Sequence, residues 1–425
     1  MHPELTTLPN NTRILRIAMP GVKSVTVLAL VNAGRRYEDE QVAGISHFLE
    51  HMVFKGTKNF ANSQELSAAI DMVGGEFNAF TSKEYTGYYV KLASRYLDLA
   101  LNVVTDMLCT PKLREEDIKR ESLVITEEIN MYEDMPMRNI DDIFDEVMYA
   151  NSNLAGKVLG SKETVQAMNH DNFVEYMDKW YGFGNVLMVV AGDETVVNSP
   201  DLPQRIEQHL AKGGAERKAA DHKPYLSPNI YGDEKRRIVF KETEQAHFIL
   251  GFPSFARSDE RRYALNLLAT LLGKTMSSRL FTEIRDNRGL CYYIHASTDF
   301  YHDGGTFGAA AGVDPHRIVE AITATKQEFA SLLDAKPVTE AELHGAKQNI
   351  IGRLALEMED SQSVAFWYGM RLLLDGTVEN PEDVVKRIEQ VSLDQVRNVG
   401  KDLIKNDDLR LALIGPFKEE DLQGI

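Results

Sequence analysis

The chain has 425 residues, 43% of them hydrophobic and 26% charged, and its 47 Lys and Arg against 64 Asp and Glu leave a formal charge of −17. This is the composition of a folded globular protein with more than one packed core, and the acidic surplus argues against nucleic acid or anionic lipid as the main partner. Nothing approaches the roughly 18 uninterrupted apolar residues of a membrane span, and two cysteines, Cys109 and Cys291, supply neither a disulfide framework nor a thiolate metal cluster. A reducing, cytoplasmic setting without a membrane partner is the resulting expectation.

In chain order, SVTVLALVNAG (Ser24–Gly34) reads as an apolar strand, followed by helical spacing around Val42–Phe54 and Gln64–Val73. Two β-type runs come next, Gly74–Ser82 and Tyr85–Ala93, and then amphipathic helices over Leu97–Leu108 and Arg114–Met131. The succession recurs: a strand at Ala246–Phe255, helices at Arg261–Leu272 and Ser278–Asn287, β-type runs at Gly289–Thr298 and Gly304–Val313, then long helices from Pro315 and Thr339. The fold expected is α+β, one antiparallel-sheet-plus-helices unit present twice. Between the copies, a stretch rich in Gly, Pro and charge lacks any apolar period, which sets the domains at 1–212 and 237–425 with a linker at 213–236.

The chemistry begins at HFLEH, His47 to His51. On a helix, positions i and i+4 share a face, so His47 and His51 can reach one ion while Glu50 points into the same cleft. This is the inverted form of the HExxH zinc-protease motif. A catalytic zinc takes three protein ligands and keeps a position open for water. Downstream, Glu121, Glu127 and Glu128 offer carboxylates at helical spacing, with Glu121 and Glu128 seven apart on one face.

These segments, HFLEHMVFKGT (His47–Thr57), GGEFNAFTS (Gly74–Ser82), ESLVITEEINMYED (Glu121–Asp134) and SSRLFTEIRDNRGLCYYIHAS (Ser277–Ser297), resemble the pitrilysin or insulinase (M16) class of zinc peptidases. The sequence is similar to the mitochondrial processing peptidase β-subunits and their bacterial relatives, and the likeness extends over essentially the whole chain. The resemblance implies one Zn2+ per chain, held by His47, His51 and a glutamate about 75 to 77 residues beyond the second histidine. Glu127 and Glu128 both satisfy that count, and Glu128 is preferred because it heads the EIxM segment. It implies Glu50 as the group that takes water's proton and returns it to the leaving amine, and Glu121 as the acid that hydrogen-bonds the outer nitrogen of a ligand histidine.

In the second copy, the helix corresponding to HFLEH reads YALNLLATLLG and carries no metal ligand. There the resemblance implies an Arg and a Tyr seven residues apart, Arg285 and Tyr292, as substrate-positioning and oxyanion-stabilising groups. Tyr293, one position along, would point to the opposite strand face. It further implies that an extended peptide adds to the edge strand Glu76–Ser82, at Phe77, Asn78, Ala79 and Phe80.

Longer relatives enclose a chamber with four such domains, so two domains imply half of a clamshell and hence a dimer. With zinc ligands and the Arg–Tyr pair in one chain, and no long glycine-rich loop of the processing peptidase α-subunit, a self-sufficient homodimer is favoured. The substrates expected are unfolded or extended peptides, basic ones favoured by the −17 charge. The alternatives are a heterodimer needing an inactive homologue, or a non-catalytic scaffold subunit of the same fold.

Overall fold

The structure, a computed structural model, describes residues 1–212, 227 and 229–422. Six strands make the first sheet: β1 (Pro3–Thr7), β2 (Arg13–Met19), β3 (Ser24–Val31), β4 (Glu76–Thr81), β5 (Thr86–Ala93) and β6 (Val186–Asp193), in the order β1-β2-β6-β3-β5-β4. Five make the second: β7 (Arg236–Phe240), β8 (Ala246–Ser254), β9 (Cys291–Phe300), β10 (Gly305–Val313) and β11 (Arg410–Gly415), in the order β7-β11-β8-β10-β9. The order β2-β6-β3-β5-β4 in one sheet matches β7-β11-β8-β10-β9 in the other. Each sheet is antiparallel except for one pair in the same place, β2 with β6 and β7 with β11, which are parallel. The α+β unit is therefore duplicated, with mixed rather than purely antiparallel sheets.

Period-two alternation splits the central strands of the first sheet between two cores. Val25, Val27, Ala29 and Val31 of β3 face the helices α1 (Ile45–Met52), α2 (Ser63–Asp71) and α3 (Leu97–Cys109). Leu28 and Leu30 face a second core with Leu187 and Val189 of β6, covered by the helix Ser361–Leu374 through Val364, Ala365, Tyr368 and Leu372. Burial on both faces explains why these strands read as continuous apolar runs. In the second sheet, Ile249, Ala310, Ala412 and Ile414 pack against Ile140, Ile143, Phe144 and Met148 of α5 (Pro136–Met148), which follows α4 (Glu115–Asp134).

Helices are thus exchanged between the two halves of the sequence. One compact unit comprises Met1–Ile129, Lys157–Tyr225 and Ala355–Asn380, and the other Asn130–Gly156, Leu226–Leu354 and Pro381–Ile425. This differs from the contiguous domains expected at 1–212 and 237–425, because each sheet takes a covering helix from the other half of the chain. Of the expected linker, 213–226 and 228 lie outside the described residues. Its last part belongs to the second unit: Ile230 is buried against α5, and the Tyr231 hydroxyl bonds the main chain at Ser254 and Gly305. Among the described residues no helix is long and apolar enough to cross a membrane.

The start of α1 is built with unusual care. Glu38, buried, accepts from the Gly44 N–H at 2.7 Å and the Ser46 N–H at 2.9 Å, and Arg35 lies 3.9 Å away. A carboxylate at a helix N-terminus satisfies orphan donors and complements the positive end of the helix. Gly44 itself has φ +95°, and a Cβ there would stand 2.5 Å from the Leu159 carbonyl oxygen. Gly160, φ +74°, would put a Cβ 2.1 Å from the Ala43 carbonyl oxygen, so these two backbone segments pass as only glycines allow. Glu38→Ala leaves two buried donors unpaired and is expected to cost about 2–4 kcal/mol. Urea unfolding measures this, and a loss below about 0.5 kcal/mol would contradict the anchoring role assigned to Glu38.

Candidate metal centre

Helix α1 is amphipathic in the simplest way. Ile45, Phe48, Leu49 and Met52, at i, i+3, i+4 and i+7, enter the core, which leaves His47, Glu50 and His51 on the other face. Across from them, α4 buries Ile118, Ile125 and Ile129 in the same core and presents Glu121 and Glu128 two turns apart. His47 Nε2 lies 3.7 Å and His51 Nε2 3.4 Å from the same Glu128 Oε2. The ligand atoms of the three residues fall within 4.8 Å of one another, and this is the one metal-compatible group found among the described residues.

The donor set fits zinc. Tetrahedral ligands at about 2.0–2.1 Å from one ion stand roughly 3.3 Å apart, so the two separations from Glu128, 3.4 and 3.7 Å, need closing by a few tenths of an ångström, and the two histidine nitrogens, within 4.8 Å, by at most about 1.5 Å. Both histidines turn Nε2 inward. His51 Nδ1 is 2.9 Å from Glu121 Oε1, and because a carboxylate only accepts, Nδ1 carries a hydrogen, which leaves Nε2 as the nitrogen that offers a lone pair once the ring's second proton is lost. His47 Nδ1 is buried and has no hydrogen-bond partner among the described residues.

The electrostatics divide the pair. Burial, reinforced by the neighbouring His51, pushes His47 down to about 4, which keeps that ring neutral. Burial also opposes charge on His51, but hydrogen bonds and charge from Glu121 and Glu128 outweigh it and raise that ring to about 9. Glu128 is held below the usual carboxylate range chiefly by its hydrogen bond with His51. For Glu121 burial works upward, yet His51 and Lys55 bring it below the usual range. Glu50 moves the other way. Its burial raises its pKa, while the Thr81 hydroxyl, donating to Oε2 at 2.6 Å, partly offsets the rise.

The structure brings His47, Glu50, His51, Glu121 and Glu128 together, and leaves Glu127 exposed and outside the group. Two residues were not picked out from sequence. Thr81 partners Glu50, and Lys55 places Nζ 2.6 Å from Glu121 Oε2. Lys55 lies four residues past His51, so helical spacing puts it beside that ring without revealing its partner Glu121; Thr81 shares a strand face with Phe77 and Ala79.

Strand β4 is an edge strand, and one of its outward N–H groups, that of Ala79, is capped by its neighbour's side chain, Asn78 Oδ1, at 2.9 Å. The four side chains expected to meet substrate there have different surroundings. Ala79 is buried, Phe77 packs on Phe54 with ring centroids 5.7 Å apart, and Phe80 packs on Phe366 at 4.9 Å, which leaves Asn78 exposed.

In the second unit, Arg285 sits in a π-helical turn, Phe281–Asn287, a local widening often found at functional positions. Its guanidinium carbon is 4.6 Å from the Phe281 ring centroid and 5.9 Å from that of Tyr292, whose side chain is 75% exposed. Tyr293 faces the other way and hydrogen-bonds His247 Nδ1 at 2.9 Å.

Comparison with known proteins agrees with this architecture. Residues 13–162 match the family described as Insulinase (Peptidase family M16), and residues 167–350 the Peptidase M16 inactive domain. An uncharacterized zinc protease of Streptomyces coelicolor is 35% identical over 98% of this chain and 90% of its own length. The uncharacterized zinc protease YmxG of Bacillus subtilis is 34% identical over 96% and 97%. Among solved structures, a protease from Helicobacter pylori superposes with a TM-score of 0.86 at 23% identity, covering 98% of this chain and 99% of its own. The chain belongs to the M16 (insulinase) peptidase family, and relatives along its full length bear the name zinc protease.

His51 gives the centre a pH signature. Its value of about 9 exceeds histidine's ordinary 6.5, so in the metal-free chain its contribution to stability is full below about pH 6.5 and is lost as pH rises through about 9. A metal must displace that proton, so zinc affinity is expected to rise about tenfold per pH unit between pH 7 and 9 and then level off. Competition titrations with a chelator check this; an affinity flat over the range is the contrary result.

Proposed function

We propose that this chain is a zinc-dependent endopeptidase that cleaves extended or unfolded peptides. The observation that carries the reading is the convergence of His47, His51 and Glu128 on one point with Glu50 on the same helix face. His47, His51 and Glu128 hold one zinc ion, which when bound supplies the Lewis acidity that brings water's pKa down toward about 7 and polarises a carbonyl.

Glu50 takes the proton of the attacking water and delivers it to the leaving amine. Its burial suits it to the task, because a carboxylate raised above the ordinary range is a stronger base, and the Thr81 hydroxyl on Oε2 leaves Oε1 for the proton. Glu121 holds His51 in the tautomer that offers Nε2. Arg285 and Tyr292 supply a cation and a phenolic donor to the carbonyl oxygen as charge develops on it. The free edge of β4 takes the peptide through main-chain hydrogen bonds, and the exposed Asn78 amide, which caps the Ala79 N–H, gives way when it does.

The formal charge of −17 supports a preference for basic peptides. Both zinc ligands and the Arg–Tyr pair on one chain support a homodimer that needs no inactive partner. A chain with only two cysteines, Cys109 and Cys291, supports a reducing, cytoplasmic setting.

The test is hydrolysis of a quenched, basic, unstructured peptide by the purified protein, after chelation and after zinc is restored, with the native mass measured in parallel. Cleavage lost and regained with zinc is expected, and zinc binding without cleavage would overturn the self-sufficient peptidase. Glu50→Gln is expected to keep zinc and to lose about 10²–10⁴-fold in kcat; near-normal turnover in that variant removes Glu50 from its role.

A further inference from the structure

We propose that Lys55 is a positioning residue of the metal centre, fixing the Glu121 carboxylate so that Glu121 in turn fixes the His51 ring. This rests on the zinc-site reading above and extends it by one residue. Lys55 ends the tight turn Val53–Lys55 that continues α1, one helical turn beyond His51. Glu121 is buried, and its two oxygens are divided between them: Oε1 faces His51 Nδ1 at 2.9 Å and Oε2 faces Lys55 Nζ at 2.6 Å.

A carboxylate held at one oxygen can still swing about its last torsion, since that rotation is broad and soft. Held at both, it presents one lone pair to Nδ1 in one direction. The main chain around Lys55 is pinned from the α4 side as well. The Lys55 carbonyl accepts from Arg114 Nη2 at 2.9 Å, and the Gly56 carbonyl accepts from the Lys112 N–H at 2.9 Å. Arg114 and Lys112 lead directly into the helix that carries Glu121 and Glu128, so Lys55 ties the two ligand-bearing helices together at main chain and side chain alike.

The asymmetry of the histidines gives this tie its importance. His47 Nδ1 has no partner among the described residues, so packing alone orients that ring. The hydrogen-bonded orientation of the imidazole pair therefore runs through Glu121 and, behind it, Lys55.

Zinc affinity of the full chain, measured by chelator competition at fixed pH and salt, tests the assignment without reference to turnover. Lys55→Met is expected to weaken zinc binding about tenfold, and Lys55→Arg, which keeps a cationic donor, to recover it to within about threefold. Adding Lys55→Met to Glu121→Gln is expected to cost less than about twofold more, because both changes break the same chain of contacts. If Lys55→Met fails to fold, Lys55→Gln takes its place, with an expected loss of at least about threefold.

Wild-type affinity in the neutral variant, equal losses in the neutral and Arg variants, or additive losses with Glu121→Gln overturn the role of Lys55. Those results leave the zinc site standing provided His51→Ala still abolishes binding. A wild-type chain that binds no zinc, or binds it equally after His51→Ala, overturns both readings.

Discussion

A carboxylate with almost no access to water, Glu38, receives the first N–H groups of α1, and the direction of every metal-facing side chain on that helix is set from there. Burial pushes the Glu38 carboxyl above the usual range, and the Ser46 and Gly44 donors, the positive end of the helix and Arg35 offset part of that cost. The same short segment reaches the β4–β5 hairpin. The Arg35 and Arg36 N–H groups donate to the Ser82 and Lys83 carbonyls, and the Arg36 guanidinium meets Glu84 at 2.8 Å in a pair that is itself buried. Residues 35–38 thus hold the helix that carries Glu50 and the hairpin that carries Thr81 in one register. The 2.6 Å bond between Glu50 and Thr81 follows from that register, not from the sequences of either element alone.

Within the centre the two histidines are treated differently. One ring is kept neutral by burial and oriented by packing; the other is wired through Glu121 and Lys55 and holds a proton strongly when no metal is present. Three carboxylates stand near one another and two of them are held low by hydrogen bonds and charge from His51 and Lys55, whereas Glu50 is raised by burial that the Thr81 hydroxyl and His51 only partly offset. A difference in partners between carboxylates only a few ångströms apart is how one site keeps an acceptor for metal and an acceptor for protons side by side.

Much of this was open to reading from the chain. HFLEH places two histidines and a glutamate by periodicity alone, β4 and β5 announce themselves by alternation, and the repeat of strand, helices and paired strands points to duplication. The preference for Glu128 over Glu127 came from family likeness, since counting could not separate them. Other features stayed hidden for physical reasons. Strands β7 and β11 pair only with partners distant in sequence, so no local turn signal marks them, whereas the hairpin of β1 and β2 across Leu8–Thr12 was local and simply passed over. Helix α5 shows an ordinary amphipathic pattern and Ser361–Leu374 is apolar over most of its surface, and neither pattern says which sheet the helix will cover. Thr81 and Lys55 act through long-range partners, 31 and 66 residues away at Glu50 and Glu121, and single-sequence spacing has no access to that pairing.

The helix Ser361–Leu374 also has a bearing on how the protein comes into being. It covers Leu28, Leu30, Leu187 and Val189, which lie on strands made long before it. As the chain emerges from the ribosome, the first sheet can pair its strands and bury one face once β6 has appeared, but its other face stays bare until residue 374 follows. That apolar face is a hazard for a nascent chain, since exposed sheet surface invites wrong pairings. The arrangement makes maturation of the metal-binding half a late event, completed only when most of the polypeptide exists.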